Sequence, residues 1–189
     1  VKQVNFQPSF SPPPTGYLID TGQPFGSRGG GENYGWNVDA SSDARDRNDP
    51  DSLDERYDTF NHIAKPDGAN ATLWEIEVSN GSYLVHAVCG DADFGGSCDL
   101  CVEGSSVVKG SHAPGQWRED QAFIDVTDGR LSLTSCLSGE TKINYLEIRR
   151  LDLRSVSVKW RGGVDSASYS PTSFVNLVGG GPQPAALNT

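Results

Sequence analysis

Apolar and polar residues alternate with a period of two along most of the chain. The pattern is clear in "QVNFQ" (3–7), "LWEIEV" (73–78), "SYLVHAV" (82–88), "CDLCVEG" (98–104), "AFIDVT" (122–127), "RLSLTSC" (130–136) and "INYLEIRRLDL" (143–153). Successive side chains on an extended strand point to opposite faces, so each stretch predicts a strand with one buried face. Turn signals such as "SNGS", "GDADFGGS", "TDGR" and "LSGE" separate them. No stretch of ten or more residues carries an amphipathic helical period. The expected fold is all-β: an antiparallel β-sandwich or jelly roll over residues 1–150. Residues 151–189 read as an extension, with further alternating stretches at "SVSVKW" (155–160) and "SFVNLVGGG" (173–181) before an extended tail or arm.

Composition agrees with many short elements joined by turns, with 22 glycines and 11 prolines in 189 residues. The net charge of −10 argues against a nucleic acid or an anionic membrane as partner, because each demands a basic face. No apolar run approaches the length of a membrane span, so insertion is not expected. The absence of methionine and the immediate strand-like start fit a mature chain whose leader has been removed.

Cysteines stand at 89, 98, 101 and 136. The 98–101 pair has the C-x-x-C spacing, but no second pair of similar spacing completes a zinc set, and no βαβ context supports a redox motif. Disulfides in an oxidising compartment are the preferred reading. Strand phase suggests the partners. Cys98 shares the side of Leu100 and Val102, and Cys89 the side of Val85 and Ala87, while Cys101 and Cys136 fall on outward phases. The pairing consistent with alternation is Cys89–Cys98 inside and Cys101–Cys136 outside. Sequons at Asn70 and Asn80 fit a secreted glycoprotein.

The stretch "ARDRNDPDSLDERYDT" (44–59) holds six acids and three arginines in sixteen positions. A calcium loop would draw on Asp46, Asp49 and Asp51 among its oxygens, but the EF-hand spacing is absent and the arginines oppose a cation. A glycosidase pair of carboxylates has no apolar setting to tune it, and the three histidines, 62, 86 and 112, are scattered. No catalytic motif accompanies them, and an enzyme is not expected. The favoured reading is a loop ordered by arginine–carboxylate pairs and pinned by Trp36, Tyr57, Phe60 and Ile63.

In order along the chain, "VNFQPSFSPPPTGYLIDTGQPFG", "YGWN", "ARDRN", "DERYDTFNHI", "WEIEVSNGSYLVHAVCGD", "VEG", "VTDGRLSL" and "KINYLEI" resemble malectin-like, galactose-binding-type β-sandwich modules over about residues 3–149. Such modules are often attached to secreted bacterial polysaccharide-degrading enzymes and to cell-surface proteins. The resemblance implies a jelly roll whose usual role is non-catalytic attachment to carbohydrate, sometimes with a structural calcium. The cysteines are an addition to the family pattern, and the last forty residues fall outside it.

Sugar binding needs an aromatic face for the apolar side of a pyranose, with amide, carboxylate or guanidinium groups for its hydroxyls. Tyr17, Phe25, Tyr34, Trp36 and Trp117 lie in loop-like segments, whereas Trp74 opens a strand and reads as core. The expected glycan-binding set is Tyr34, Trp36, Arg45, Asp46, Arg47 and Trp117. The leading expectation is an extracellular carbohydrate-binding module for polysaccharide or glycan. The alternative is a structural subunit of an extracellular fibre, wall or adhesive layer, self-assembling through residues 152–189 by strand addition.

Overall fold

A computed structural model describes residues 1–50, 52, 54–65, 72–137 and 139–151. Asp51, Asn70, the stretches 155–160 and 173–181, and the assembling tail lie outside these residues. Among the described residues the strands form two sheets. One has five strands in the order β11 (Gln116–Val126), β8 (Gly81–Asp91), β14 (Tyr145–Arg150), β1 (Lys2–Phe6) and β2 (Leu18–Asp20). The other runs β3 (Gly26–Ser27), β4 (Asn33–Trp36), β7 (Trp74–Glu77), β12 (Arg130–Ser135), β9 (Gly96–Val102), β13 (Thr141–Ile143), β6 (Thr59–Ala64) and β5 (Arg45–Asp46), with β10 (Ser105–His112) also paired to β9. The architecture is a β-sandwich, and the one described α-helix, α1 (Glu55–Asp58), is a single turn.

Alternation explains the core. Val85, Ala87 and Cys89 of β8 and Leu146 and Ile148 of β14 face Leu100 and Val102 of β9 and Leu131 and Leu133 of β12 in one buried cluster. Pairing is mostly antiparallel, as the pattern predicts. Two contacts are parallel: β1 with β2, and β13 with β9.

The structure joins Cys89 to Cys98 and Cys101 to Cys136, the arrangement that strand phase suggests. The first pair belongs to the buried cluster between the sheets, and the second does not.

One end of the core is built on a carboxylate. Trp36 and Trp74 are fully buried and pack edge-to-face against Phe6, with ring centroids 5.9 and 5.2 Å away. Both indoles donate to Asp20, Trp36 Nε1 to Oδ1 at 2.6 Å and Trp74 Nε1 to Oδ2 at 2.8 Å, and the Gly22 amide adds a third bond at 2.8 Å. Burial is the dominant influence on the Asp20 carboxyl and holds it above its usual range despite these three donors.

Candidate functional site

Tyr34 and Trp36 are not exposed loop aromatics. Both lie on β4 with their side chains in the core, and the Tyr34 hydroxyl donates to the Ile19 carbonyl at 2.8 Å. Their segment, "YGWN", looks like a loop because of its glycine. Gly35 is required by crowding: a Cβ there would stand 2.6 Å from the Gln23 carbonyl oxygen. Neither ring offers a face to a ligand.

The charged loop is ordered, but by a different set of bonds from simple pairing within the run. Arg45 donates to the Ser42 and Ala44 carbonyls at 2.7 and 2.8 Å. Asp46 accepts from the Asn48 amide at 3.0 Å and from the Ser11 hydroxyl. The buried Asp58 carboxylate accepts from the Asp49 amide and the Ser52 hydroxyl at 3.0 and 2.7 Å. Asp54 caps α1 through the Arg56 amide and also takes that residue's guanidinium, at 2.9 and 2.6 Å. Among the described residues no three acids of this loop converge on one point, and Asp51 lies outside them.

Arg47 reaches out of the loop. Its guanidinium grips Asp91 of β8 with two bonds of 2.8 and 2.7 Å, wedged between the rings of Phe60 and Phe94. Lys142 completes the pair, its Nζ 2.6 Å from the same carboxylate and 3.2 Å from Glu140. Asp91 and Lys142 are almost wholly enclosed. Burial alone would push the Asp91 carboxyl up; bonds from Arg47 and Lys142 outweigh it and bring the pKa down to about 2. This cluster ties the loop to the sheet.

A different surface gathers partly exposed aromatic and polar groups: the outer face of the five-stranded sheet where α1 folds over it. Strand register sets Gln3, Glu147, His86 and Gln121 in one row across β1, β14, β8 and β11. In the next row Tyr145 and Glu119 flank Val88. Over them the rings run Tyr17, Tyr145, Tyr57 and Trp117, each edge-on to the next, with centroids 6.0, 5.3 and 5.5 Å apart. The Arg56 guanidinium lies 5.0 to 5.8 Å from the three tyrosine rings. Tyr145 is buried beneath, while Tyr17, Tyr57 and Trp117 are half-exposed.

The polar groups of this face are fixed by one another. Tyr17 donates to Glu147, which also takes Gln3 Nε2 at 3.0 Å, and Arg56 Nη1 donates to the Tyr17 oxygen at 3.0 Å. Tyr145 donates to the Tyr57 hydroxyl at 2.8 Å, and Trp117 Nε1 to the Tyr57 carbonyl at 3.0 Å. His86 stands 3.2 Å from Glu119 and 3.7 Å from Glu147. Burial pushes the Glu147 carboxyl up, but bonds from Tyr17 and Gln3 outweigh it, so it lies below its ordinary range. Burial, then the bond to Glu147, pushes the Tyr17 hydroxyl up to about 12. At neutral pH the face therefore presents fixed carboxylate acceptors beside hydroxyl, amide and guanidinium donors.

Of the sequence-predicted binding residues, this face includes Trp117 alone. Tyr17 was singled out as a loop aromatic and also belongs to it. Tyr57, Tyr145, Arg56, His86, Glu119 and Glu147 carry no local signal; only register and the path of the loop bring them together. Asn80 is exposed and donates to the Thr127 carbonyl at 2.7 Å.

No protein-family profile matches the chain, and no curated protein matches it. Solved structures do. The protein YXIM of Bacillus subtilis aligns with 79% of this chain and 40% of its own, at 20% identity and a TM-score of 0.55. A calcium-binding mutant of Bacteroides uniformis beta-glucuronidase 2 aligns with 79% of this chain and 18% of its own, at 12% identity and a TM-score of 0.53. This chain thus spans well under two thirds of either. At such identities the likeness concerns the fold: a β-sandwich that recurs as a portion of larger proteins.

Proposed function

We propose that the domain is a non-catalytic, malectin-like carbohydrate-binding module acting outside the cell or at its surface, and that it takes its glycan on the outer face of the five-stranded sheet. The observation that carries this reading is the aromatic row Tyr17–Tyr57–Trp117, half-exposed on a sheet face otherwise lined by hydrogen-bonding groups. Ring faces and edges suit the C–H surface of a pyranose, and Glu147, Glu119, Gln3 and Arg56 suit its hydroxyls. A site of this kind binds through preformed geometry, because its side chains already hold one another in place. Two disulfides favour an oxidising compartment, and among the described residues no helix is long and apolar enough to cross a membrane.

On this face Glu147 is held ionised by its donors and so does not supply the raised carboxyl that general-acid cleavage of a glycoside requires. The test is calorimetric titration with soluble plant, algal and bacterial polysaccharides, alongside an assay for new reducing ends. Binding without cleavage is expected, with Tyr17→Ala and Trp117→Ala each weakening it about tenfold, or about 1.4 kcal/mol. Glu77→Ala, at an exposed position on β7 of the other sheet, leaves it unchanged. Failure to bind any glycan of the panel would overturn the proposal.

A further inference from the structure

His112 poses a separate question. It closes β10 directly opposite Gly96 of β9, and it is 6% exposed. Its Nδ1 donates to the Ala113 carbonyl at 3.2 Å, which fixes the tautomer and leaves Nε2 as a bare lone pair. That nitrogen is buried and has no hydrogen-bond partner. An orphaned buried acceptor is costly, so its persistence points to something it can hold.

The groups beside this ring are sulfur atoms. A ring nitrogen of His112 and the Sγ atoms of Cys89 and Cys98 all lie within 4.8 Å of one another. The space beside Gly96, which has no side chain, is bounded by three groups: a Cβ there would stand 3.2 Å from His112 Nε2, 3.7 Å from Glu140 Oε2 and 3.8 Å from Lys142 Nζ, whose charge Glu140 and Asp91 balance. We propose that Cys89, Cys98 and His112 form a thiolate–imidazole site for a zinc-class divalent cation, masked while the two cysteines are joined and opened when that bond is reduced. Two thiolates and one imidazole, with a fourth position left for Glu140 or water, make a tetrahedral set of the kind Zn2+ favours.

The geometry suits the change. Two thiolates on a tetrahedral zinc sit about 3.8 Å apart for Zn–S bonds of about 2.3 Å, so the two sulfurs must draw apart once their bond is broken. The Cα atoms, 5.8 Å apart, need not move; rotation of the two cysteine side chains is enough. The Ala113 carbonyl plays the orienting part that backbone acceptors play behind metal-bound imidazoles. The chemistry balances with an external dithiol as reductant. The dithiol is oxidised to its cyclic disulfide while Cys89–Cys98 becomes two thiols, and the cation then displaces two protons as it binds both sulfurs.

The experiment uses the full chain in oxidised and phosphine-reduced forms under nitrogen, with Co2+ as a spectroscopic probe and Zn2+ as competitor. The reduced chain is expected to take up one equivalent of Co2+ with a thiolate charge-transfer band and tetrahedral d–d bands, both discharged by Zn2+. The oxidised chain shows neither. His112→Ala is expected to weaken uptake at least tenfold. Alkylation mapped by mass spectrometry supplies a readout that does not depend on a variant folding. One equivalent of Zn2+ should shield Cys89 and Cys98 while Cys101 and Cys136 react. The proposal is overturned by equal alkylation of all four with and without Zn2+, by the absence of the charge-transfer band, or by undiminished uptake in His112→Ala.

Discussion

Asp20 shows how much one side chain can hold. Its two oxygens are the acceptors for both buried indoles and for the Gly22 amide. Asp20→Ala strands three buried donors. Each unsatisfied buried donor costs about 1–3 kcal/mol, so the loss should be about 3 kcal/mol or more. Urea unfolding followed by tryptophan fluorescence measures it, and Asp20→Asn, which keeps acceptor oxygen at one of the two positions, should recover part. No hydrophobic pattern reveals this residue. The "YLID" stretch was legible only as part of a longer family-like segment, because the partners of Asp20 lie 16 and 54 residues away. The same is true of Asp91, whose two cations come from residues 47 and 142.

At the scale of elements, what the sequence made legible was set by phase. Long strands with one buried face, such as β8 and β12, announce themselves, and their alternation also sorted the cysteines. Others stayed hidden, among them three. β4 is interrupted by Gly35; β6 buries polar Asn61, whose amide donates to the Ala40 carbonyl at 3.2 Å; and β10 carries Lys109, Gly110 and Ser111 on its exposed stretch. The bond from the Asn61 amide is a tertiary one, which a local reading has no means to see. The disulfides then differ by element. In the chain-entropy account, the 35-residue loop closed by Cys101–Cys136 contributes about 3.8 kcal/mol and the 9-residue loop closed by Cys89–Cys98 about 2.6 kcal/mol. Paired Cys→Ala variants should show the outer bridge costing about 1 kcal/mol more in loop closure. The inner pair adds a packing penalty, because its atoms sit in the core. For the charged loop, the acids already serve its own amides, hydroxyls and Arg56. Chelator or added Ca2+ should accordingly leave the melting temperature unchanged; a rise of several degrees with Ca2+ would show that the loop holds an ion.

For the molecule as a whole, pH sensitivity follows from the buried charges. A carboxyl whose pKa is lower in the folded state contributes stability above its unfolded value and loses it as pH falls through the folded one. For Asp91 the window runs from about pH 4 down to about 2, and the contribution lost is about 2 kcal/mol. Glu147 is shifted in the same direction, while Asp20, held above its usual range, works against the acid loss. Asp91→Asn faces Lys142 and Arg47 with a neutral amide and should destabilise the fold by about 3 kcal/mol at neutral pH. The gap to wild type should narrow as pH approaches 2. Urea titrations across this range measure both, and a gap independent of pH would contradict the pairing.

The order of the five-stranded sheet bears on how the chain comes together in time. β14, the last of the described strands, lies between β8 and β1 rather than at an edge, and it pairs Ile148 with Lys2. Until it arrives, the sheet exists only as two separate halves, β11 with β8 and β1 with β2. At synthesis rates of about 5–20 residues per second, β1 waits roughly 7–30 s for its antiparallel partner. Closure of such distant ends is also a slow kind of contact to form. Pairing of β1 with β14 is therefore expected to be a late step in the folding of this domain.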